Sequence, residues 1–160
     1  MNSERKIISI LVENYAGTLS KVAGLFTRRG YNIDSLNVAE TQTPDVSRIT
    51  VTVTEDEYNI EQIIKQLNKL INVIKVIIIS DKSSVQKELM MIKVSAEGAK
   101  RSEIIQTVDI FKAQISDVNN KNLIVVITGD EAKNNAFLEL IKPYGIVEMT
   151  RTGPAALERG

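Results

Sequence analysis

The 160-residue sequence contains no cysteine and no histidine. Without cysteine there is no disulfide framework, no thiolate nucleophile, no zinc finger and no iron–sulfur ligation. Without histidine the commonest general base and the commonest metal ligand are also missing. Such a chain is a poor candidate for an enzyme, and neither catalytic nor metal-ligating residues are expected. Net charge is absent too: 20 Lys+Arg balance 20 Asp+Glu. Phosphate binding needs a concentrated basic face, and small clusters such as Arg28-Arg29 and Lys100-Arg101 read as solvated surface. No apolar run approaches the roughly 18–20 residues of a membrane span, so no membrane partner is expected. The opening residues 1–6 lack the apolar stretch of a secretory signal, which makes the cytoplasm the expected location. What remains, with 43% hydrophobic and 25% charged residues, is an ordinary globular composition and the profile of a binder, regulator or scaffold.

Two hydrophobic periods alternate along the chain. Residues 6–12 form a short β-branched run that reads as a buried strand. Leu19, Val22, Ala23 and Phe26 then fall at i, i+3, i+4 and i+7, which places them on one helical face starting near Thr18 and stopping at Gly30. Residues 31–43 read as a long strand, and Pro44-Asp45 as a turn. Residues 48–54 alternate strictly, with Ile49, Val51 and Val53 on one face. Ile60, Ile63, Ile64, Leu67, Leu70 and Ile71 mark a second helix, with Asn59 and Gln62 as its expected cap, and residues 73–79 another strand. The order βαββαβ is the ferredoxin-like motif.

The polar stretch 80–84 reads as a linker, after which the same grammar recurs. Strands are expected at 89–94, 115–118, 123–127 and 146–149. Between them lie a helix capped by Ser102 and carrying Ile104, Ile105, Val108 and Phe111, and a helix carrying Phe137, Leu140 and Ile141 that Pro143 stops. The expected fold is therefore α+β, with two tandem ferredoxin-like domains: residues 1–80, a linker at 81–84, and residues 85–160. The tail from Thr152 onward reads as frayed or partner-dependent. Units this small bury only about 60% of their unfolded surface, and open sheets have edges that invite pairing, so oligomerisation is expected.

The segment 13–19 joins the first strand to the first helix. Its amides at the helix start lack intrahelical acceptors and carry the positive end of the helix dipole, which suits a small carboxylate. Gly17 permits positive φ and a close approach of ligand to backbone. Asn14 offers a donor and an acceptor, enough to hold an α-carboxylate or an α-ammonium. Asn32 is expected to open an edge strand, within reach of a second subunit. By spacing alone the same residues read equally as helix punctuation and turn asparagines. Glu55-Asp56-Glu57 reads as a solvated helix start, and Met90-Met91 as core filling.

The runs Ile8–Val22, Gly24-Leu25-Phe26 and Arg28–Leu36 resemble an ACT domain. More narrowly, Arg29-Gly30-Tyr31-Asn32-Ile33-Asp34-Ser35-Leu36, Arg48, Gln66–Leu70 and Thr150-Arg151-Thr152-Gly153 resemble the small regulatory subunits of acetolactate synthase, across nearly the whole chain. The resemblance implies a non-catalytic subunit that activates a separate catalytic (large) subunit and confers feedback inhibition by valine in branched-chain amino-acid synthesis. It places thiamine diphosphate, Mg²⁺ and FAD on that partner and no cofactor on this chain. It also implies a homodimer through ACT domains with the effector between them, held by Asn14, Ala16, Gly17, Thr18, Leu19, Asn32 and Ile33. Ala16 stands where relatives often carry Ser or Pro, so a hydroxyl contact is absent there, while the neighbouring donors are backbone groups. Two other readings compete: a different amino-acid-sensing ACT regulator, and an RNA-binding module of the same fold. The second would need aromatic stacking residues on its central strands, and residues 49–53 offer none.

Overall fold

The computed structural model describes residues 3–160; the first two residues of the expected N-terminal domain lie outside that range. The chain forms two compact units. One comprises the residues up to Val85 together with Ala155–Gly160, and the other Gln86–Pro154.

In the first unit, β1 (Glu4–Glu13), α1 (Thr18–Arg28), β2 (Ser35–Glu40), β3 (Val46–Glu55), α2 (Glu57–Asn68) and β4 (Val73–Ile79) realise βαββαβ. The sheet order is β2-β3-β1-β4, all neighbours antiparallel, with β2 at one edge as expected. Ile8, Ile10 and Val12 of β1 and Ile49, Val51 and Val53 of β3 alternate onto one face. There they pack against Val22, Leu25 and Phe26 of α1 and Ile60, Ile63 and Leu67 of α2. Each such side chain is worth roughly 1.5–3 kcal/mol when fully buried.

Helix ends follow from local hydrogen bonding. At the end of α1, the Gly30 amide donates to the Thr27 carbonyl (3.1 Å) and the Tyr31 amide to that of Phe26 (3.0 Å). This is the Schellman arrangement, for which Gly30 supplies φ 74°. The cap of α2 is Asp56 rather than Asn59, because its carboxylate accepts the Asn59 amide at 2.8 Å. The Asn59 side chain is instead spent on Glu55. Strand β2 is shorter than the expected 31–43, since residues 31–34 are still leaving the helix cap.

The second unit repeats the plan with β5 (Ser84–Ser95), α3 (Lys100–Ile110), β6 (Gln114–Val118), β7 (Asn122–Gly129), α4 (Glu131–Ile141) and β8 (Ile146–Arg151), in sheet order β6-β7-β5-β8. Met90, Ile92, Val94, Leu123, Val125 and Ile127 face Ile104, Val108, Phe137 and Ile141, and the rings of Phe111 and Phe137 meet edge-on at 5.3 Å. Helix α3 begins at Lys100, ahead of the expected cap Ser102, and α4 is capped by Asp130, which accepts the Lys133 amide.

Two expectations change. The stretch 81–83 is a single 3-10 turn, and β5 begins directly at Ser84, leaving almost no free linker. The C-terminal tail is not frayed: Ala155–Glu158 form a ninth strand, β9, that pairs with β5, and residues 155–160 belong to the first unit instead of the second. Burial of Ala156 with Ile7 and Ile79 is the physical reason. No helix among the described residues is long and apolar enough to cross a membrane.

Candidate effector site

The loop between β1 and α1 is held from both sides. Glu13 donates its amide to the Asn72 carbonyl (2.9 Å), and Asn14 donates its own to that of Asp45 (2.8 Å). Gly17 stands at the helix N-cap with φ 88°, and a Cβ there would meet nothing within 4 Å. Its requirement for glycine is therefore one of backbone conformation and not of space. Thr18 is buried, and its Oγ1 accepts a hydrogen bond from Asn72 Nδ2 at 3.2 Å, so its side chain secures the loop from beneath.

The helix start is left electrically open. The caps of α2 and α4 are aspartates, and α2, α3 and α4 each carry an acidic residue in the first turn, but α1 has neither. The Lys21 amide closes the first turn on the Gly17 carbonyl, while the amides of Leu19 and Ser20 have no acceptor among the described residues. Two donors and an uncompensated dipole end thus face an exposed surface formed by Asn14, Ala16 and Gly17. Leu19 does not join the core face as its spacing suggested. It is 41% exposed and supplies apolar surface beside the donors.

Asn14 Nδ2 donates to Glu40 Oε1 at 3.2 Å, an exposed bond that leaves the Asn14 amide oxygen open. Glu40 was not apparent from sequence, because it is 26 residues away and reaches the loop only through the pairing of β2 with β3. Glu40 and the Asn14 oxygen thus add two acceptors to a loop whose helix end carries two amide donors. That arrangement matches an α-ammonium and an α-carboxylate on one molecule.

Asn32 and Ile33 sit elsewhere. Neither lies in β2: Asn32 is exposed three residues before the strand, and Ile33 leans on the core of the first unit. Through the sheet register Glu13 stands opposite Val46, whereas Ser35 stands opposite Thr52. Six residues of strand separate these levels, about 20 Å. Within one chain Asn14 and Asn32 therefore occupy opposite ends of the sheet. A concavity of about 500 Å³ lined by Glu4, Lys6, Glu55, Glu57, Ile60, Glu61 and Ile78 has the wrong charge for a carboxylate ligand. Among the described residues no group of three or more acidic side chains is placed to hold a metal ion.

Residues 8–75 match the family described as AHAS small subunit-like ACT domain, and residues 87–160 match the small subunit of acetolactate synthase. The probable acetolactate synthase small subunit of Archaeoglobus fulgidus is 51% identical, over 96% of each chain. The chain belongs to the acetolactate synthase small-subunit family. The Bacillus subtilis acetolactate synthase small subunit is 46% identical, over 98% of this chain and 91% of its own length. A crystal structure of the Thermotoga maritima small subunit superposes with a TM-score of 0.88 at 40% identity, covering 98% of both chains. These findings bear out the fold expected for this chain and the ACT assignment of its first half. Membership among proteins named as small subunits agrees with a non-catalytic role.

Proposed function

We propose that the chain is the regulatory subunit of an acetolactate synthase, that it raises the activity of a catalytic subunit, and that it lowers that activity when valine binds. On this reading the thiamine diphosphate, Mg²⁺ and FAD belong to the catalytic subunit, and this chain binds only the effector. The observation that carries the proposal is the open start of α1 with Asn14 and Glu40 beside it. Valine's carboxylate docks on the amides of Leu19 and Ser20, its ammonium on Glu40 and the Asn14 oxygen, and its isopropyl group against Leu19. One methylene in an apolar pocket is worth roughly 1–3 kcal/mol, so discrimination among valine, leucine and isoleucine is modest.

The site is completed by a second copy of the chain. Strand β2 is an edge, and Leu36 and Val38 on its helix-facing side are 37% and 43% exposed, since neither helix covers them. Antiparallel pairing of β2 with itself about a two-fold axis buries this margin. With the axis through the middle of the strand, Ser35 falls opposite the second copy's Glu40. Asn32 and Ile33 of one chain then lie beside Asn14 of the other, across a gap that no single chain closes.

Two experiments test the proposal. Valine titrated into the purified chain, and into its mixture with the catalytic subunit, should show binding and loss of stimulated activity; acetolactate formation by this chain alone would refute the reading. A co-expressed heterodimer of Asn14→Ala with Asn32→Ala should contain one doubly damaged site and one intact site. It should therefore bind valine at about half the wild-type stoichiometry with near wild-type affinity, given that both mutant homodimers bind weakly. No recovery rejects the shared site.

A further inference from the structure

The two units repeat each other down to the loop that follows their first strand. The Glu13 and Asn14 amides donate to the carbonyls of Asn72 and Asp45 at 2.9 and 2.8 Å. The Ser95 and Ala96 amides donate to those of Gly145 and Lys121 at the same two distances. Glu13 stands opposite Val46 as Ser95 does opposite Asn122, and Glu40 stands opposite Ser47 as Val118 does opposite Leu123. Helix α1 begins five residues beyond Glu13, and α3 begins five residues beyond Ser95. By this correspondence Ala96 holds the place of Asn14, Val118 that of Glu40 and Arg101 that of Leu19.

The chemistry at these places is different. In the first unit the Asn14 oxygen and Glu40 are acceptors on an exposed loop. In the second, Ala96 is buried and neither it nor Val118 has a polar side chain. The Arg101 guanidinium lies there instead: Nε donates to the Ala96 carbonyl at 3.0 Å, and Nη2 donates to the Asn119 carbonyl. Asn119 directly follows Val118, so the cation reaches from the counterpart of Asn14 to the residue beside the counterpart of Glu40. Asn119 is itself fixed, because its Oδ1 accepts the amides of Lys121 and Asn122, both at 2.9 Å.

Sequence alone reads Lys100-Arg101 as solvated surface, yet Arg101 is half-buried. Its charge also has the unfavourable sign for a helix N-terminus, so the two carbonyls hold it there against the dipole. Glu103 places an acid in the first turn of α3, which α1 lacks. The second loop therefore holds a cation of its own, and a carboxylate of its own meets its helix start. The first loop has neither.

We propose that the second unit is a self-liganded copy of the effector unit, in which the Arg101 guanidinium fills the place that the effector's ammonium takes in the first, so that each chain binds one effector molecule. The count of one rests on the effector reading above; the occupation of the second loop by Arg101 does not. A guanidinium fork tethered to its own helix loses no translational freedom on taking this place, so a free amino acid does not displace it.

Calorimetric titration of the full-length chain with valine should count one molecule per chain. Exchange of individual amides, followed by NMR, reads the second loop. Arg101→Ala should speed exchange of the Ala96, Lys121 and Asn122 amides about ten-fold or more, the weight of one charge-assisted hydrogen bond, and leave the Asn14 amide unchanged. Methylguanidinium at millimolar concentration should return those rates toward the wild type, and methylurea, its uncharged counterpart, should not. Should Arg101→Ala fail to fold, recovery of the folded chain by methylguanidinium but not by methylurea makes the same test, and no recovery overturns the proposal. Two valines bound per wild-type chain overturn it, as does wild-type exchange in Arg101→Ala. Faster exchange that methylguanidinium does not slow overturns it as well, and leaves Arg101 as a loop brace. If the wild-type chain binds no valine, the effector reading fails and the count with it, while exchange and its rescue still decide what fills the second loop.

Discussion

Asn14→Ala separates a ligand-binding asparagine from a turn-forming one. In the free chain the side chain makes one exposed hydrogen bond, from Nδ2 to Glu40 Oε1 at 3.2 Å. The loop is held mainly by backbone bonds, Asn14 to Asp45 and Glu13 to Asn72, and by Asn72 on Thr18, none of which needs the Asn14 side chain. Truncation should therefore remove about 0.5 kcal/mol of stability, the low end for a hydrogen bond and lower still for an exposed one. For a unit of this size that is a fall in melting temperature of roughly 2–4 °C. The bound state is different. In the proposed complex the amide oxygen accepts from an ammonium, and a charge-assisted bond is worth about 1.5–3 kcal/mol, an affinity loss of roughly ten- to a hundred-fold. Calorimetric titration with valine beside a thermal melt reads both quantities from one preparation. Glu40→Gln should weaken valine in the same direction. If the two side chains grip one ammonium as proposed, their effects in the double variant should be less than additive. Unchanged valine affinity with a melting temperature lowered by 5 °C or more would refute the assignment and leave Asn14 as a turn residue.

Val38→Asp should convert a dimer to a monomer in sedimentation and abolish valine binding together with it, because the charge lies on the proposed β2 seam. Gly17→Ala should cost about 1–2 kcal/mol through its left-handed backbone alone, read as a lowered denaturation midpoint, since no neighbour crowds the new methyl. Asp56→Ala should destabilise the first unit by about 1 kcal/mol through loss of the α2 cap, with valine affinity unaffected. Phe137→Ala should cost about 3–5 kcal/mol in the second unit, visible as a lowered unfolding transition, by opening a cavity beside Phe111.

The alternation of Ile49, Val51 and Val53, and the helical spacing of Ile60, Ile63 and Leu67, specify their elements locally, because each period presents one apolar face whatever it packs against. Gly30 likewise declares its helix end, since few other residues hold φ 74° without strain. The order of these elements was enough to read βαββαβ twice. The loop at Asn14 and Gly17 was legible as a binding candidate for the same local reason: glycine, asparagine and a helix start stand together in sequence. Tertiary structure decided the rest, because it depends on which distant strands pair. Glu40 reaches Asn14 only when β2 lies beside β3, and the same register carries Asn32 to the far end of the sheet. The last strand was illegible for a related reason. Ala155-Ala156-Leu157-Glu158 has no period of its own, and a small residue such as Ala156 becomes a core residue only because Ile7 and Ile79 meet it. Local pattern thus determined the elements, whereas burial and strand register, which are long-range and set by packing, determined what those elements bring together.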